Sequence, residues 1–297
     1  VMHGVKKFIK TEEQSAAIKE KSLKYLKINQ QLIQLYRNND FDVKNLDLLT
    51  KGLLLAPLDS TLWNYRSKII LKNFSTELVQ NELNFIVKAL SINAKVYSVW
   101  DYRRLLVELL HKDDLLNVKA ELEFINSILK KDGRNFHCWN YRRFLANLTT
   151  GNSAFLSDLE DTEWLIKQDF SNYSAFYQRF LCLQLLQENA KDSQSQSNLQ
   201  KLKDKELDFL KECLMISPND ESLWSYFALL CGDSQFEFVD ELIETLDPTD
   251  VRPLIYKAKI AFQNGNSAKF EEAKRSLEKV EGAQMEGLIK EILGWEM

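Results

Sequence analysis

Few residues in this chain combine a reactive type with a suggestive spacing. Only three are histidines. One of them, His137, sits in "DGRNFHCWNYRRF", between Phe136 and Cys138 and just ahead of a pair of arginines. An imidazole there could hold a metal or move a proton, or it could satisfy its two nitrogens in a structural contact. Lys95 and Tyr97 sit in "NAKVYSVW", at the entry of a predicted helix. A helix start offers free N–H groups and partial positive charge, and the lysine adds a full charge, so the place suits an anion. The plain alternative is a solvated lysine beside a packing tyrosine. "DLED" (158–161) contains Asp-x-x-Asp, a pattern that can share magnesium, but no second carboxylate motif accompanies it. The cysteines at 138, 182, 213 and 231 are separated by 44, 31 and 18 residues. That is neither a zinc knuckle nor a redox pair, and their apolar surroundings read as reduced core thiols. No Ser/His/Asp constellation and no convincing metal set is present, so chemistry by this chain alone is not expected.

The bulk properties narrow the class. A net charge of −4 gives no basic field for nucleic acid. No apolar run reaches the length of a membrane span and no signal peptide is visible, which predicts a soluble cytoplasmic protein without membrane insertion. Val1 ahead of Met2 reads as an added residue before a native start. With 9 glycines, 4 prolines and abundant leucine, the composition favours helix. Length alone would suggest about two domains.

A repeat changes that reading. "WNYRS" (63–67), "WDYRR" (100–104), "WNYRR" (139–143), "FYQRF" (176–180) and "WSYFA" (224–228) share a pattern led by Trp63, Trp100, Trp139, Phe176 and Trp224, at spacings of 37, 39, 37 and 48. A second mark lies 18 residues before each lead aromatic: Asn45-Leu46, Glu82-Leu83, Glu121-Leu122, Asp158-Leu159 and Glu206-Leu207. Apolar residues at helical spacing, then a short segment rich in Asn, Asp, Gly or Pro, then the aromatic-Arg stretch, predict two helices per unit. Arg103, Arg142 and Arg179 can lay their stems over the next hairpin while the acidic marks meet their heads and fix the register. Asp158 falls on this acid mark, which argues against a magnesium role. A unit of this kind cannot bury its apolar face alone, whereas stacked neighbours can. The prediction is therefore an all-α protein, a right-handed, crescent-shaped α-solenoid of helical hairpins with a TPR-like superhelix. It spans 1–297 as a single domain, with five repeats over about 40–230, a helical N-terminal extension and C-terminal capping helices, and no additional Ig-like or leucine-rich domain. The polar stretch 189–200 is expected to be an exposed, mobile insertion.

A roughly 37-residue helical hairpin with Trp-x-x-Arg-Arg at the start of its second helix resembles the α subunits of protein prenyltransferases. "DGRNFHCWNYRRF", "DFSNYSAFYQR", "SPNDESLWSY" and the opening "MHGVKK" are most similar to the Rab geranylgeranyltransferase type. The resemblance implies a heterodimer with a β subunit that holds zinc and most of the lipid pocket, with geranylgeranyl diphosphate as co-substrate and no cofactor on this chain. It implies Rab GTPases as acceptors, presented by a Rab escort protein. It carries Lys95, Tyr97 and His137 over as catalytic residues at the diphosphate. Asn135, Phe136, Asn172 and Tyr173 come over as lipid-proximal or interface residues. His3 would be a possible inhibitory ligand to the β-subunit zinc, against the plain reading of a mobile tail. The alternatives are the α subunit shared by farnesyltransferase and geranylgeranyltransferase type I, and a TPR-like scaffold with no enzymatic partner.

Overall fold

The computed structural model describes residues 11–148, 152–231, 236–245, 251–263 and 265–279. Among these are fourteen helices and no strand. Helix α1 (Glu12–Arg37) is followed by five hairpins: α2 (Asn45–Leu55) with α3 (Ser60–Lys72), α4 (Thr76–Ile92) with α5 (Tyr97–Lys112), α6 (Val118–Leu129) with α7 (Phe136–Leu148), α8 (Asn152–Gln168) with α9 (Tyr173–Asn189), and α10 (Ser193–Ile216) with α11 (Glu221–Cys231). Helices α12 (Phe236–Thr245), α13 (Val251–Gln263) and α14 (Ser267–Glu278) complete the order. Each acid-Leu mark lies on the first helix of its hairpin and each lead aromatic on the second, so the fold is the α-solenoid of hairpins that the repeat predicts. By contact the chain forms two compact units, Val1–Glu121 with Asn135–Arg142, and Leu122–Arg134 with Arg143–Met297.

Within the first unit, one buried arrangement joins each hairpin to the next. The Arg66 guanidinium donates to both carboxylate oxygens of Glu82, and Nη1 donates to Leu46 O at 3.2 Å and Thr50 Oγ1 at 2.9 Å on its own hairpin. The Tyr102 hydroxyl donates to the same Glu82 at 2.6 Å, and the Tyr102 ring packs on Trp63 with centroids 5.4 Å apart. The next joint repeats this. Arg103 forks onto Glu121 at 2.9 and 2.8 Å, Tyr141 donates to Glu121 at 2.7 Å, and the Tyr141 ring lies 5.3 Å from that of Trp100. Burial and the adjacent carboxylate push the Tyr102 and Tyr141 phenols well above their ordinary pKa, so they stay neutral donors. The array starts on a neutral residue. Asn45 takes the acid position and meets the Tyr65 hydroxyl at 3.3 Å. Gly52 lets α1 and α3 approach α2 closely, because a Cβ there would meet Leu62 Cδ1 on α3 at 3.0 Å and Leu32 Cδ1 on α1 at 3.3 Å.

The second unit uses the same chemistry with substitutions. Arg179 forks onto Glu206, and Tyr226 donates to Glu206 at 2.7 Å. Arg179 also reaches Leu159 O and Thr162 Oγ1 on α8, as Arg66 does on α2. Gln178 replaces the tyrosine of hairpin four and donates to Asp158 at 2.6 Å. Phe176 replaces the tryptophan and packs on Tyr226 at 5.0 Å. In hairpin five Phe227 stands where the arginine would, and Trp224 stacks on Tyr256 of α13 at 4.7 Å. Cys138, Cys182 and Cys213 are buried reduced thiols, and burial with Glu212 nearby pushes the Cys213 thiol up to about 12. The side chain of the fourth cysteine lies outside the described residues.

One expectation fails. Residues 193–200 are the first two turns of α10 and not a mobile insertion. Asp192 caps the helix by accepting from Ser195 N at 2.9 Å, and Gln194–Asn198 (3.1 Å) and Gln200–Asp204 (2.8 Å) bond along its face. Leu199 and Leu202 pack on the cluster of Phe155, Leu159, Cys182, Leu183 and Leu186. Two leucines three residues apart anchor a stretch whose composition reads as a loop.

Two kinds of ion pair should therefore behave differently. Glu121→Ala, which leaves Arg103 buried without its carboxylate, should cost about 3–5 kcal/mol, and Trp100→Ala a similar amount. Arg134→Ala removes a pair with Asp169 at 2.8 Å that is 62% exposed on the arginine side, and should cost far less, because water screens the pair. Urea unfolding checks this; comparable losses for Glu121→Ala and Arg134→Ala would contradict it.

Candidate functional site

The second helix of each hairpin begins three residues before its lead aromatic, and the capping residue one position earlier decides how the helix start is satisfied. Asp59 accepts from Thr61 N and Leu62 N at 2.9 and 3.3 Å. Asn135 accepts from Cys138 N at 3.0 Å, Asn172 from Ala175 N at 3.2 Å, and Asp220 from Ser222 N and Leu223 N at 2.8 and 3.3 Å. The exception is α5. Its N-cap is Val96, whose side chain cannot accept a hydrogen bond. The first N–H groups of α5 therefore have no side-chain cap, and Lys95 immediately precedes them.

Lys95 is exposed, and its backbone N–H donates to Asn93 Oδ1 at 2.9 Å, which shapes the turn after α4. Ala94 O, one residue earlier, accepts from Trp100 Nε1 at 2.8 Å and from Asn135 Nδ2 at 3.4 Å. These bonds tie the Lys95 turn to its own helix and to the start of α7. Tyr97, at the first position of α5, is 64% exposed, and its ring centroid lies 6.2 Å from that of half-buried His137. Phe136, 66% exposed, lies 5.7 Å from His137. Lys95 thus stands at the start of a helix whose first residue, Tyr97, edges an open aromatic group with Phe136 and His137. A cation and a helix start without a side-chain cap can hold an anionic group, and the adjoining rings offer apolar contact.

The seven residues singled out from the sequence divide by burial. Lys95, Tyr97, Phe136 and Tyr173 face outward, His137 is half-buried, and Asn135 and Asn172 are buried caps. Asn172 repeats in the second unit what Asn135 does in the first, since its Nδ2 donates to Gly133 O at 2.9 Å. Tyr173 stacks on Tyr177 with centroids 6.2 Å apart. His3 lies outside the described residues. The Val96 exception was missed from the sequence, although its signal is visible there: Asp59, Val96, Asn135, Asn172 and Asp220 share one register. Arg134 was missed as well. It occupies the position of Lys95 in the following hairpin, and Asp169 engages it with two bonds at 2.8 and 3.0 Å.

Among the described residues no three His, Cys, Asp or Glu side chains come together as a metal would require, and no helix is long and apolar enough to cross a membrane. Asp158 and Asp161 do not act together: Asp158 is buried with Gln178, and Asp161 accepts from Asn126 Nδ2 at 2.7 Å.

Comparison with known proteins follows the same registers. The sequence profile described as "Protein prenyltransferase alpha subunit repeat" matches residues 79–110, 118–149 and 203–232, which are the α4–α5, α6–α7 and α10–α11 hairpins. The Rattus norvegicus geranylgeranyl transferase type-2 subunit alpha is 34% identical over 247 residues, covering 79% of this chain and 42% of the rat protein. The chain thus spans about two fifths of the length of its mammalian relatives. The Candida albicans protein of the same name is 28% identical and covers 80% of this chain and 74% of its own length. That of Schizosaccharomyces pombe is 29% identical, covering 78% and 71%. A chain of the solved Candida albicans protein geranylgeranyltransferase-I complexed with GGPP shares the fold, with a TM-score of 0.74 over 98% of this chain and 93% of that one, at 22% identity. Repeat profile, named relatives and all-helical hairpin architecture agree: the chain belongs to the protein prenyltransferase α-subunit family.

Proposed function

We propose that this chain is the α subunit of a Rab geranylgeranyltransferase. With a β subunit it would transfer geranylgeranyl from geranylgeranyl diphosphate to C-terminal cysteines of Rab GTPases, presented by a Rab escort protein in the cytoplasm. The type-2 name of its relatives supports the substrate class. The observation that carries a role for this chain in the reaction is the start of α5, where Lys95 precedes the one second helix of the five described hairpins whose capping residue cannot accept a hydrogen bond.

In the transfer, a carbon–sulfur bond forms to the acceptor cysteine as the carbon–oxygen bond to diphosphate breaks, and the electron pair leaves with the diphosphate. Negative charge grows on the departing group. The Lys95 ammonium and the α5 N–H groups are suited to meet that charge. Tyr97 and His137 would border the leaving group, and Phe136 with Tyr173 would lie at the lipid or at the β subunit. Zinc, which would activate the thiol when bound, is assigned to the β subunit, as the resemblance to the prenyltransferase family implies. Asn135 acts one step removed, by holding the Ala94–Lys95 turn.

The test is co-expression with a candidate β subunit and transfer of labelled geranylgeranyl to a Rab and to a CaaX protein. Transfer to Rab, dependent on the escort protein, is expected. Preference for the CaaX protein would mean the type-I reading, and failure to recruit a β subunit would favour a scaffold. Lys95→Ala should slow transfer by about 10²–10³ with the heterodimer intact. Wild-type turnover at saturating lipid would remove Lys95 from the mechanism. Val96→Asn, which supplies the cap that neighbouring hairpins have, should leave fold stability within about 1 kcal/mol of wild type while weakening prenyl diphosphate binding. Unchanged affinity would mean the α5 N–H groups do not meet the diphosphate.

A further inference from the structure

The single irregular interval of the repeat builds a cleft. Helix α10 runs for 24 residues, whereas the first helices of the other hairpins run for 11 to 17. Its extra turns pass the end of α9 and the start of α8 and enclose a cavity of about 370 Å³. Leu156, Leu186, Leu199 and Leu202 form the apolar lining, and Lys201 and Lys205 stand on its rim. Asn189 Nδ2 bonds Asn152 Oδ1 at 2.9 Å, and Lys203 Nζ bonds Gln187 Oε1 at 2.8 Å, so α9 is braced to both walls.

We propose that this cleft binds a single-chain amphiphile with an anionic head, its tail on the leucines and its head between Lys201 and Lys205. Three observations carry this. The cavity is of small-molecule size, with four leucines and Ala190 in its lining and the polar side chains of Asn152, Ser195, Asn198, Lys201 and Lys205 beside them, a two-sided character that suits an amphiphile. Leu199 and Leu202 are fixed by packing on the core cluster, so the lining is preformed. The two lysines are one helical turn apart on one face, and neither has an ion-pair partner among the described residues, in a protein whose net charge is −4. Two ammonium groups one turn apart, neither in an ion pair, repel each other, and an anion between them relieves that repulsion. A peptide fits less well, because it needs a longer row of backbone partners than Asn152, Ser195 and Asn198 supply. None of these residues belongs to the turns that carry the proposed function, so the cleft is a separate site.

The test is calorimetric titration of the full chain with decyl phosphate, as the heterodimer if that forms and alone if it does not. No prenyl diphosphate is added, because it is itself an anionic single-chain amphiphile and would compete for the cleft; the equivalent bound at the cleft is the one that persists in Lys95→Ala. One equivalent should bind, and Lys201→Glu with Lys205→Glu should weaken binding by about tenfold or more. Both lysines are exposed, so the double variant should keep its fold, which circular dichroism checks. Leu199→Asp should weaken binding in the same assay. Decyltrimethylammonium and inorganic phosphate should bind far more weakly than decyl phosphate. Absence of decyl phosphate binding, equal binding of the cationic amphiphile, or unchanged affinity in the lysine variant would overturn the proposal. Tighter binding of an acidic apolar peptide would assign the cleft to a protein partner and overturn it also. The readout is independent of transfer activity, so it stands or falls apart from the enzymatic reading.

Discussion

Each described joint between hairpins rests on a carboxylate that is buried and shared. Glu82 and Glu121 in the first unit, and Glu206 in the second, each accept a forked arginine from the preceding hairpin and a tyrosine hydroxyl from their own. A charge taken out of water is costly unless every oxygen is met, and here every oxygen is met. The arrangement tolerates little sliding. Moving one hairpin along its neighbour would leave a buried guanidinium and a buried carboxylate apart, so the ion pair sets the register while the aromatic stack supplies most of the apolar burial. The ends follow from the same constraint. Asn45 holds the acid position in the first hairpin, which no hairpin with a repeat arginine precedes, and Phe227 holds the arginine position in the last marked hairpin. A charge at either place would have no partner of this kind.

Because the joints fix the helices, the turns can vary. Four of five second helices start under an Asp or Asn cap, and the fifth starts under Val96. That residue gives up a cap bond worth about 1 kcal/mol. The loss falls at the turn that carries Lys95 and beside Tyr97 and His137. Local stability is reduced where an anion could supply the missing acceptor, which is how a binding site differs from a purely structural turn.

Residues 193–200 show the limit of composition as a guide. Serine, glutamine and asparagine suit a solvated loop, yet Asp192 caps the segment and Leu199 and Leu202 hold it down. The polar residues then lie on the exposed face of a helix and bond one another at i,i+4. Two leucines on one face were enough to decide helix, and with it the existence of the cleft.

The sequence by itself determined the repeat, the helical class, the five hairpins, and the pairing of acid marks with arginines. All of these rest on periodicity, and an eighteen-residue register between acid and aromatic survives in any reading of the chain. It also determined that Lys95 and Tyr97 stand at a helix start. Only the tertiary structure decided which members of that cluster are open. Asn135 and Asn172 look as accessible in sequence as Phe136 and Tyr173, but their amides are drawn inward to cap one helix and brace the turn before it. Burial depends on what packs from the neighbouring hairpin, and no local pattern records that. The same holds for Lys201 and Lys205, whose place at a cleft depends on how far α10 overshoots α9, a distance set by packing and not by residue type.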